Sequence, residues 1–129
     1  MKKFISLLTF LTLSFAAKAE WTAIHLTQIN DYVTFYNVDW ATLKIASGRR
    51  KIWMLFNNKG DNIGEIVSAK ALYEFDCSED KFRYLQATTF SESYGGGRVI
   101  EKNGAGGWQF IAPETAIKVV AEKVCARKK

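Results

Sequence analysis

IVSAKALYEFDC, residues 66–77, decides the fold because its side chains alternate in character and it ends in a cysteine. Side chains two positions apart share one face of a strand, so small and aromatic residues lie on one face and mostly polar residues on the other. A short turn, SED at residues 78–80, leads into KFRYLQATTFS, residues 81–91, which is a second strand-like run. The two runs predict an antiparallel hairpin.

Other short strands surround this hairpin. Alternation and many aromatic and β-branched residues mark four of them upstream, at residues 21–26, 32–38, 42–46 and 51–57. The last of these is apolar on both faces, which indicates a strand covered on both sides, and residues 57–64 follow as an Asn- and Gly-rich loop. Downstream, residues 98–102 and 108–111 flank a glycine-rich turn and predict a second, shorter hairpin.

The periodicity changes to that of a helix near the C-terminus. Pro113 and Glu114 suit the first turn of a helix. One apolar stripe with helical spacing follows, made by Ile117, Val120, Ala121 and Val124, with Cys125 on its rim. We therefore predict an α+β fold, an antiparallel sheet of about six strands with a C-terminal α-helix packed on one face. A small β-barrel is the alternative.

The first 19 residues predict a cleaved secretory signal peptide. A positive start at residues 1–3 and an uncharged apolar run at residues 4–16 precede Ala-Lys-Ala, which suits cleavage before Glu20. The run is shorter than the roughly 20 residues of a membrane-spanning helix, although an uncleaved anchor is the alternative. We expect one mature domain, residues 20–129, with no transmembrane segment. No cysteine stands near the cleavage site, so we expect no lipid anchor there.

Cys77 and Cys125 are the two cysteines of the chain. An even number of cysteines in an exported protein favours a disulfide, and two cysteines allow one intramolecular pairing. A bridge that closes a loop of about 48 residues is expected to stabilise the fold by roughly 4 kcal/mol. It would fasten the helix to the strand that ends at Cys77; two free buried thiols are the alternative.

The charge does not favour a nucleic-acid partner. The full chain has 18 Lys and Arg against 13 Asp and Glu, a net charge of +5. Lys2, Lys3 and Lys18 belong to the predicted signal peptide, which leaves 15 basic and 13 acidic residues, a net charge of +2. Such a balance in an exported protein does not predict binding to nucleic acid.

The sequence contains no motif typical of catalysis, a metal or a cofactor. Its one histidine, His25, lies in a predicted strand without a second histidine to share a metal ion. Glu74 and Asp76 share a strand face and could act as a glycosidase-type carboxylate pair. The alternative is a solvated acidic face beside Lys70, Lys81 and Arg83, which is more common for such residues. We therefore expect no enzymatic activity.

A basic run, Arg49-Arg50-Lys51, follows a Ser-Gly turn. Charged residues at a strand edge discourage sheet-to-sheet aggregation. The functional alternative is a contact with an acidic partner, such as a glycan or an acidic protein. The aromatic residues either fill the core or, where exposed, favour protein recognition; these include Trp40, Trp53 and Trp108.

The chain resembles a known family in the order of these features. An export signal precedes Trp21, the strand IWMLFN at residues 52–57, and the run S-x-K-x-L-x-E-x-D-C at residues 68–77 followed by KFRYL. A glycine-rich turn, Trp108 with Pro113, and a closing helix with the second cysteine complete the pattern. The pattern resembles that of the surface-adhesin protein E family of Gram-negative bacteria.

The resemblance implies an antiparallel sheet with a C-terminal helix, a Cys77–Cys125 bridge and a non-enzymatic role. The member that gives the family its name is a surface lipoprotein that binds host extracellular-matrix and serum proteins. The chain is thus expected to be an exported binding module for protein partners, located in the periplasm or outside the cell. The alternative is a soluble periplasmic structural or inhibitor-like protein that acts on an envelope partner.

Overall fold

The computed structural model describes residues 18–61 and 63–128, so the predicted signal peptide lies outside the described residues except for its last two positions. Seven strands form one antiparallel sheet in this part of the chain, and a single helix follows them. The strands are β1 (Thr22–Ile29), β2 (Tyr32–Ala46), β3 (Arg49–Gly60), β4 (Ser68–Asp76), β5 (Lys81–Phe90), β6 (Val99–Asn103) and β7 (Gln109–Phe110); a 3₁₀ turn spans Ser93–Gly95 and the helix is α1 (Ala116–Ala126).

The sheet is a meander in which each strand pairs with the next. The order is β1-β2-β3-β4-β5-β6, and the short β7 also pairs with β5. The predicted hairpin is formed by β4 and β5, with Asp76 opposite Lys81 at the turn. The predicted α+β class is confirmed, and the sheet is open, with β1 and β6 at the two ends of the strand order.

Residues 32–38 and 42–46, predicted as separate strands, are the two ends of the long strand β2. The register with β3 jumps from Asp39↔Trp53 to Lys44↔Lys51, so a wide bulge lies between them. The Thr42 hydroxyl holds this bulge, because it donates to the Asp39 carbonyl at 2.7 Å and accepts from the Trp53 N–H at 3.0 Å. Pairing with β3 on both sides of the bulge thus joins two runs that the local pattern separates.

The predictions for one loop and for the second hairpin were wrong. The loop predicted at residues 57–64 begins later, because β3 continues to Gly60 in register with β2, where the Thr34 hydroxyl donates to the Asn58 side chain at 2.7 Å. The second hairpin does not form either: β6 and β7 both pair with β5. Between them Gly106 donates its N–H to the Tyr84 carbonyl at 2.9 Å, so the connecting segment also follows β5.

Helix α1 packs its predicted apolar stripe on one face of the sheet. Its start was predicted at Pro113, but the helix begins at Ala116, where the Thr115 hydroxyl accepts from the Lys118 N–H at 3.3 Å. A threonine cap satisfies a free N–H of the first turn, and so it sets the start. The core beneath the helix combines its buried residues Val120, Ala121 and Val124 with Val38, Leu43, Ile52, Met54, Phe75 and Ile111.

The predicted disulfide is confirmed and clamps the helix to the end of β4. Cys77 and Cys125 are bonded, with their Cα atoms 5.9 Å apart. On the neighbouring strand, the Arg50 guanidinium donates to the carbonyl of Val124 at 3.0 Å and to that of Arg127. A covalent bond and a charged donor therefore hold the last turn of α1 from two strands.

Aromatic rings line the helix side of the sheet from β1 to β5. Their centroids lie 5.6 Å apart for His25–Tyr36, 5.4 Å for Tyr36–Phe56, 5.7 Å for Phe56–Tyr73 and 6.0 Å for Tyr73–Phe82. Ring pairs of this kind across neighbouring strands stabilise a sheet beyond the area they bury. His25 thus packs as one of the rings of this row.

Tyr73 makes the stability of the fold sensitive to high pH. Burial, with smaller contributions from Tyr84 and Tyr36, raises the pKa of Tyr73 to about 12. The phenol in an unfolded chain has a pKa of about 10. Below pH 10 the phenol keeps its proton in the folded and the unfolded state, so the buried phenol contributes its full stabilisation. Between pH 10 and 12 the unfolded state loses this proton first, so the free energy of unfolding falls as the pH rises.

Urea unfolding between pH 8 and 12 tests this prediction, with Tyr73→Phe as the control that lacks the phenol. We expect the free energy of unfolding of the wild type to fall by about 1–2 kcal/mol more than that of Tyr73→Phe across this range. Parallel curves for the two proteins would show that the Tyr73 phenol is not buried in the folded state.

Candidate binding site on the open face of the sheet

The face of the sheet opposite the helix, here called the open face, carries the candidate site. Side chains alternate along β3, so Ile52 and Met54 point to the helix while Trp53 and Leu55 point to the open face. The register places Leu72 of β4 directly beside Trp53. Apolar side chains therefore occupy this face without a helix above them.

The loop after β5 covers one end of the open face. The Tyr94 N–H donates to the Asn57 side chain at 2.8 Å, and the Gly95 N–H donates to the Ser68 hydroxyl at 2.9 Å. Gly95 has a φ of 74°, a backbone conformation that glycine adopts readily and other residues rarely do. The glycine-rich break in the sequence is this covering loop.

A groove runs across the uncovered part of the open face. One depression of about 520 Å³ is lined by residues that include Trp21, Asp39, Thr42, Trp53 and Lys70. A second of about 370 Å³ shares Thr42 and Trp53 with the first. We call the two together the open-face groove; its apolar floor is Trp21, Trp53 and Leu72, and its basic rim is Lys44, Lys51 and Lys70.

The bulge of β2 shapes the wall of this groove. Asp39 is 6% exposed, and its Oδ1 accepts from the Ala41 N–H at 3.2 Å. The Asp39 carboxylate thus stabilises the turn of the backbone within the bulge. Lys18 and Ala19, the last two residues of the predicted signal peptide, also line the first depression.

A charged cluster lies beside the groove and corrects the expectation of a solvated acidic face. Glu74 is 4% exposed, and its Oε1 accepts from Arg83 Nε at 2.8 Å and lies 2.6 Å from Arg83 Nη2. Lys51 Nζ is 3.9 Å from the other carboxylate oxygen. The Arg83 guanidinium also lies 4.4 Å from the centre of the Trp108 ring, a cation–π contact beside the ion pair.

Asp76, the other carboxylate of the suggested catalytic pair, is occupied by its own turn. Its Oδ1 accepts from the Ser78 hydroxyl at 2.9 Å and from the N–H groups of Ser78 and Glu79 at 3.2 Å. These hydrogen bonds, the Ser78 hydroxyl first, hold the pKa of Asp76 below its usual value. The contacts give Glu74 and Asp76 structural roles, and a glycosidase acid would need a raised pKa instead.

The basic run of β3 is divided between the two faces. Arg49 and Lys51 lie on the open face with about half of each side chain exposed, whereas Arg50 points to the helix and binds its last carbonyls. The role of the run in partner binding stays a prediction. The sequence pattern placed Lys70 beside the acidic residues of β4 and gave no binding role to it or to Lys44. The strand register brings both lysines beside Lys51 and Trp53.

The described residues were also compared with the requirements of a metal site and of a membrane-spanning helix. Within residues 18–61 and 63–128, no three His, Cys, Asp or Glu side chains are grouped as a metal ion would require. The helix that the structure describes is too short to span a bilayer.

The fold and the site define a small α+β module: a meander sheet with a disulfide-clamped C-terminal helix on one face and an open groove on the other. Residues 21–126 match the sequence profile of the surface-adhesin protein E family, and the chain belongs to this family. The resemblance in the sequence is thereby confirmed. No curated protein matches the sequence significantly.

Solved structures of protein E from Haemophilus influenzae share this fold. One superposes with a TM-score of 0.56 at 13% sequence identity and covers 87% of this chain and 91% of that chain. Another, from a non-typeable strain, has a TM-score of 0.57 at 13% identity and covers 86% and 78%. At this identity the likeness establishes the architecture.

Proposed function

We propose that this chain is an exported, non-enzymatic binding module whose open-face groove contacts a protein partner of the host extracellular matrix or serum. The observation that carries the proposal is the apolar floor of Trp53 and Leu72 on a sheet face that the helix leaves uncovered. Tryptophan is enriched at the energetic centres of protein interfaces. Membership of the surface-adhesin protein E family agrees with such a role.

Export is part of the same proposal. Disulfides such as Cys77–Cys125 persist mainly in oxidising compartments outside the cytosol. Cleavage before Glu20 would remove Lys18 and Ala19 from the lining of the groove. The mature protein would therefore present Trp21 and Trp53 in a wider groove.

A second candidate is a soluble periplasmic structural or inhibitor-like protein that acts on an envelope partner. It is favoured by the lack of a cysteine directly after the predicted cleavage point, where a lipoprotein would carry its anchor. Cell fractionation separates the two candidates. Recovery wholly in the periplasmic fluid, with none on intact cells, would favour the second.

Removing the centre of the groove floor is expected to weaken partner binding. Residues 20–129, with the disulfide formed, are passed over immobilised matrix and serum proteins in surface plasmon resonance. We expect Trp53→Ala to raise the Kd of any complex at least about tenfold, as for the centre of an interface. Phe110→Ala, at a 77% exposed ring on the edge strand β7, is the control and should change the Kd less than about twofold.

Melting curves followed by circular dichroism show whether each variant is folded, and Leu72→Ser is a second floor variant should Trp53→Ala fail to fold. Failure of the wild type to bind any of these proteins would contradict the proposed matrix or serum partner. Binding that survives both floor variants would contradict the groove as the contact surface.

A further inference from the structure

Two lysines with the same charge stand directly opposite each other at the groove. Lys44 of β2 pairs with Lys51 of β3, and both point to the open face. Like charges in such cross-strand positions destabilise a sheet. The nearest carboxylate to Lys51 is that of Glu74 at 3.9 Å, which Arg83 already holds at 2.6 Å. Lys44 has no ion-pair partner in the described part of the chain.

A third cation lies at the other side of the groove floor. Lys70 lines the first depression, and its Nζ lies 5.6 Å from the centre of the Phe90 ring. The acidic residue among those that line the groove is Asp39, which is 6% exposed and accepts a hydrogen bond from the Ala41 N–H. Glu74, beside Lys51, is 4% exposed and paired with Arg83. The groove therefore presents positive charge to solvent while its negative charge is buried, which favours an anionic ligand.

The floor between these cations is apolar. Trp53 and Leu72 are direct partners in the β3–β4 register, and Trp21 extends the same surface toward β1. A ligand that carries only charged groups would leave this floor in contact with water. A peptide that alternates acidic and apolar side chains would place carboxylates on the lysines and bury an apolar side chain on Trp53.

We propose that the open-face groove recognises an extended acidic peptide segment with an apolar side chain between its carboxylates. Lys44 and Lys51 bind one carboxylate, Lys70 binds another, and Trp53 with Leu72 receives the apolar side chain. This inference rests on the proposed function, because it specifies the chemistry of the partner at the same groove.

Fluorescence anisotropy with defined probes tests the inference. The probes are a labelled peptide of alternating Glu and Leu, the same peptide with Gln for every Glu, and a labelled heparin oligosaccharide. We expect the acidic peptide to bind the wild type about tenfold more tightly than the Gln peptide, and Lys44→Gln with Lys51→Gln to remove about that tenfold. Lys102→Gln with Lys128→Gln makes the same charge change at exposed sites outside the groove and should alter the Kd less than about twofold.

Several outcomes would overturn the acidic-peptide assignment. These are equal affinity for the Glu and Gln peptides, an equal loss in the two lysine pairs, or heparin binding that depends on Lys44 and Lys51 without peptide binding. The matrix and serum binding assay separates this failure from failure of the proposed function. Suppose that Trp53→Ala weakens binding in that assay while the Lys44→Gln, Lys51→Gln protein binds as the wild type does. The groove is then still the contact surface, but the proposed preference for an acidic peptide is wrong.

Discussion

Replacing Cys77 and Cys125 together by alanine is expected to lower the melting temperature by about 15 °C, the largest effect on stability that we predict. The bridge closes a loop of 48 residues, which restricts the unfolded chain by about 4 kcal/mol. One kcal/mol corresponds to roughly 4 °C for a domain of this size. The bridge also joins the end of β4 to α1, the helix that buries Ile52 and Phe75.

Thermal unfolding of the oxidised wild type and of the double alanine variant, followed by circular dichroism, measures this effect. Dithiothreitol should bring the wild type close to the variant and leave the variant unchanged, which is the internal control. Identical melting curves without reductant would contradict the stabilising role. Rapid alkylation of both thiols in natively prepared protein would contradict the bridge itself.

Glu74→Ala is expected to destabilise the fold by about 2 kcal/mol, because the substitution removes the buried partner of Arg83. The Glu74 side chain is 5% exposed and that of Arg83 is 30% exposed, so loss of the carboxylate leaves a partly buried guanidinium without its counter-charge. A fully buried pair would cost roughly 3–5 kcal/mol, and the exposure of Arg83 reduces this value. Urea unfolding at neutral pH measures the difference.

Glu79→Ala is the matched control, since this exposed acid lies in the next turn and its side chain forms no ion pair among the described residues. It should change the free energy of unfolding by less than about 0.5 kcal/mol. Glu74→Leu with Arg83→Met should recover part of the lost stability, because neither charge then remains unpaired. Equal effects of Glu74→Ala and Glu79→Ala would show that Glu74 is not buried in an ion pair.

Local patterns were sufficient for the elements whose partners are close in sequence. The runs at residues 66–77 and 81–91 are joined by a short turn, so alternation and turn chemistry specify both strands and their pairing. The stripe from Ile117 to Val124 specifies which side of the helix is buried. The wide bulge at residues 39–44 was missed because its two ends are connected only through pairing with β3.

The candidate site was less predictable, because it is assembled from side chains on three strands. The consecutive residues 49–51 suggested one basic patch. Neighbouring positions of a strand face opposite sides, however, so Arg50 points to the helix and is not part of the open face. Lys44 and Lys70 belong to the candidate site because the strand register places them at the groove. Glu74 was expected in solvent, but it is buried and paired with Arg83, which lies directly opposite it in the β4–β5 hairpin. The Trp108 ring, from the segment after β6, lies on the Arg83 guanidinium, and no local pattern indicated this contact.

The sequence by itself determined the α+β class, the β4–β5 hairpin, the buried stripe of the helix and the pairing of its only two cysteines. It did so because periodicity and turn residues act over a few positions, and two cysteines allow one bridge. Only the tertiary structure decided which face of the sheet the helix covers and which remains open. A strand run that is apolar on both sides carries no mark of its covered face, and long-range packing of α1 and of the loop after β5 makes that choice.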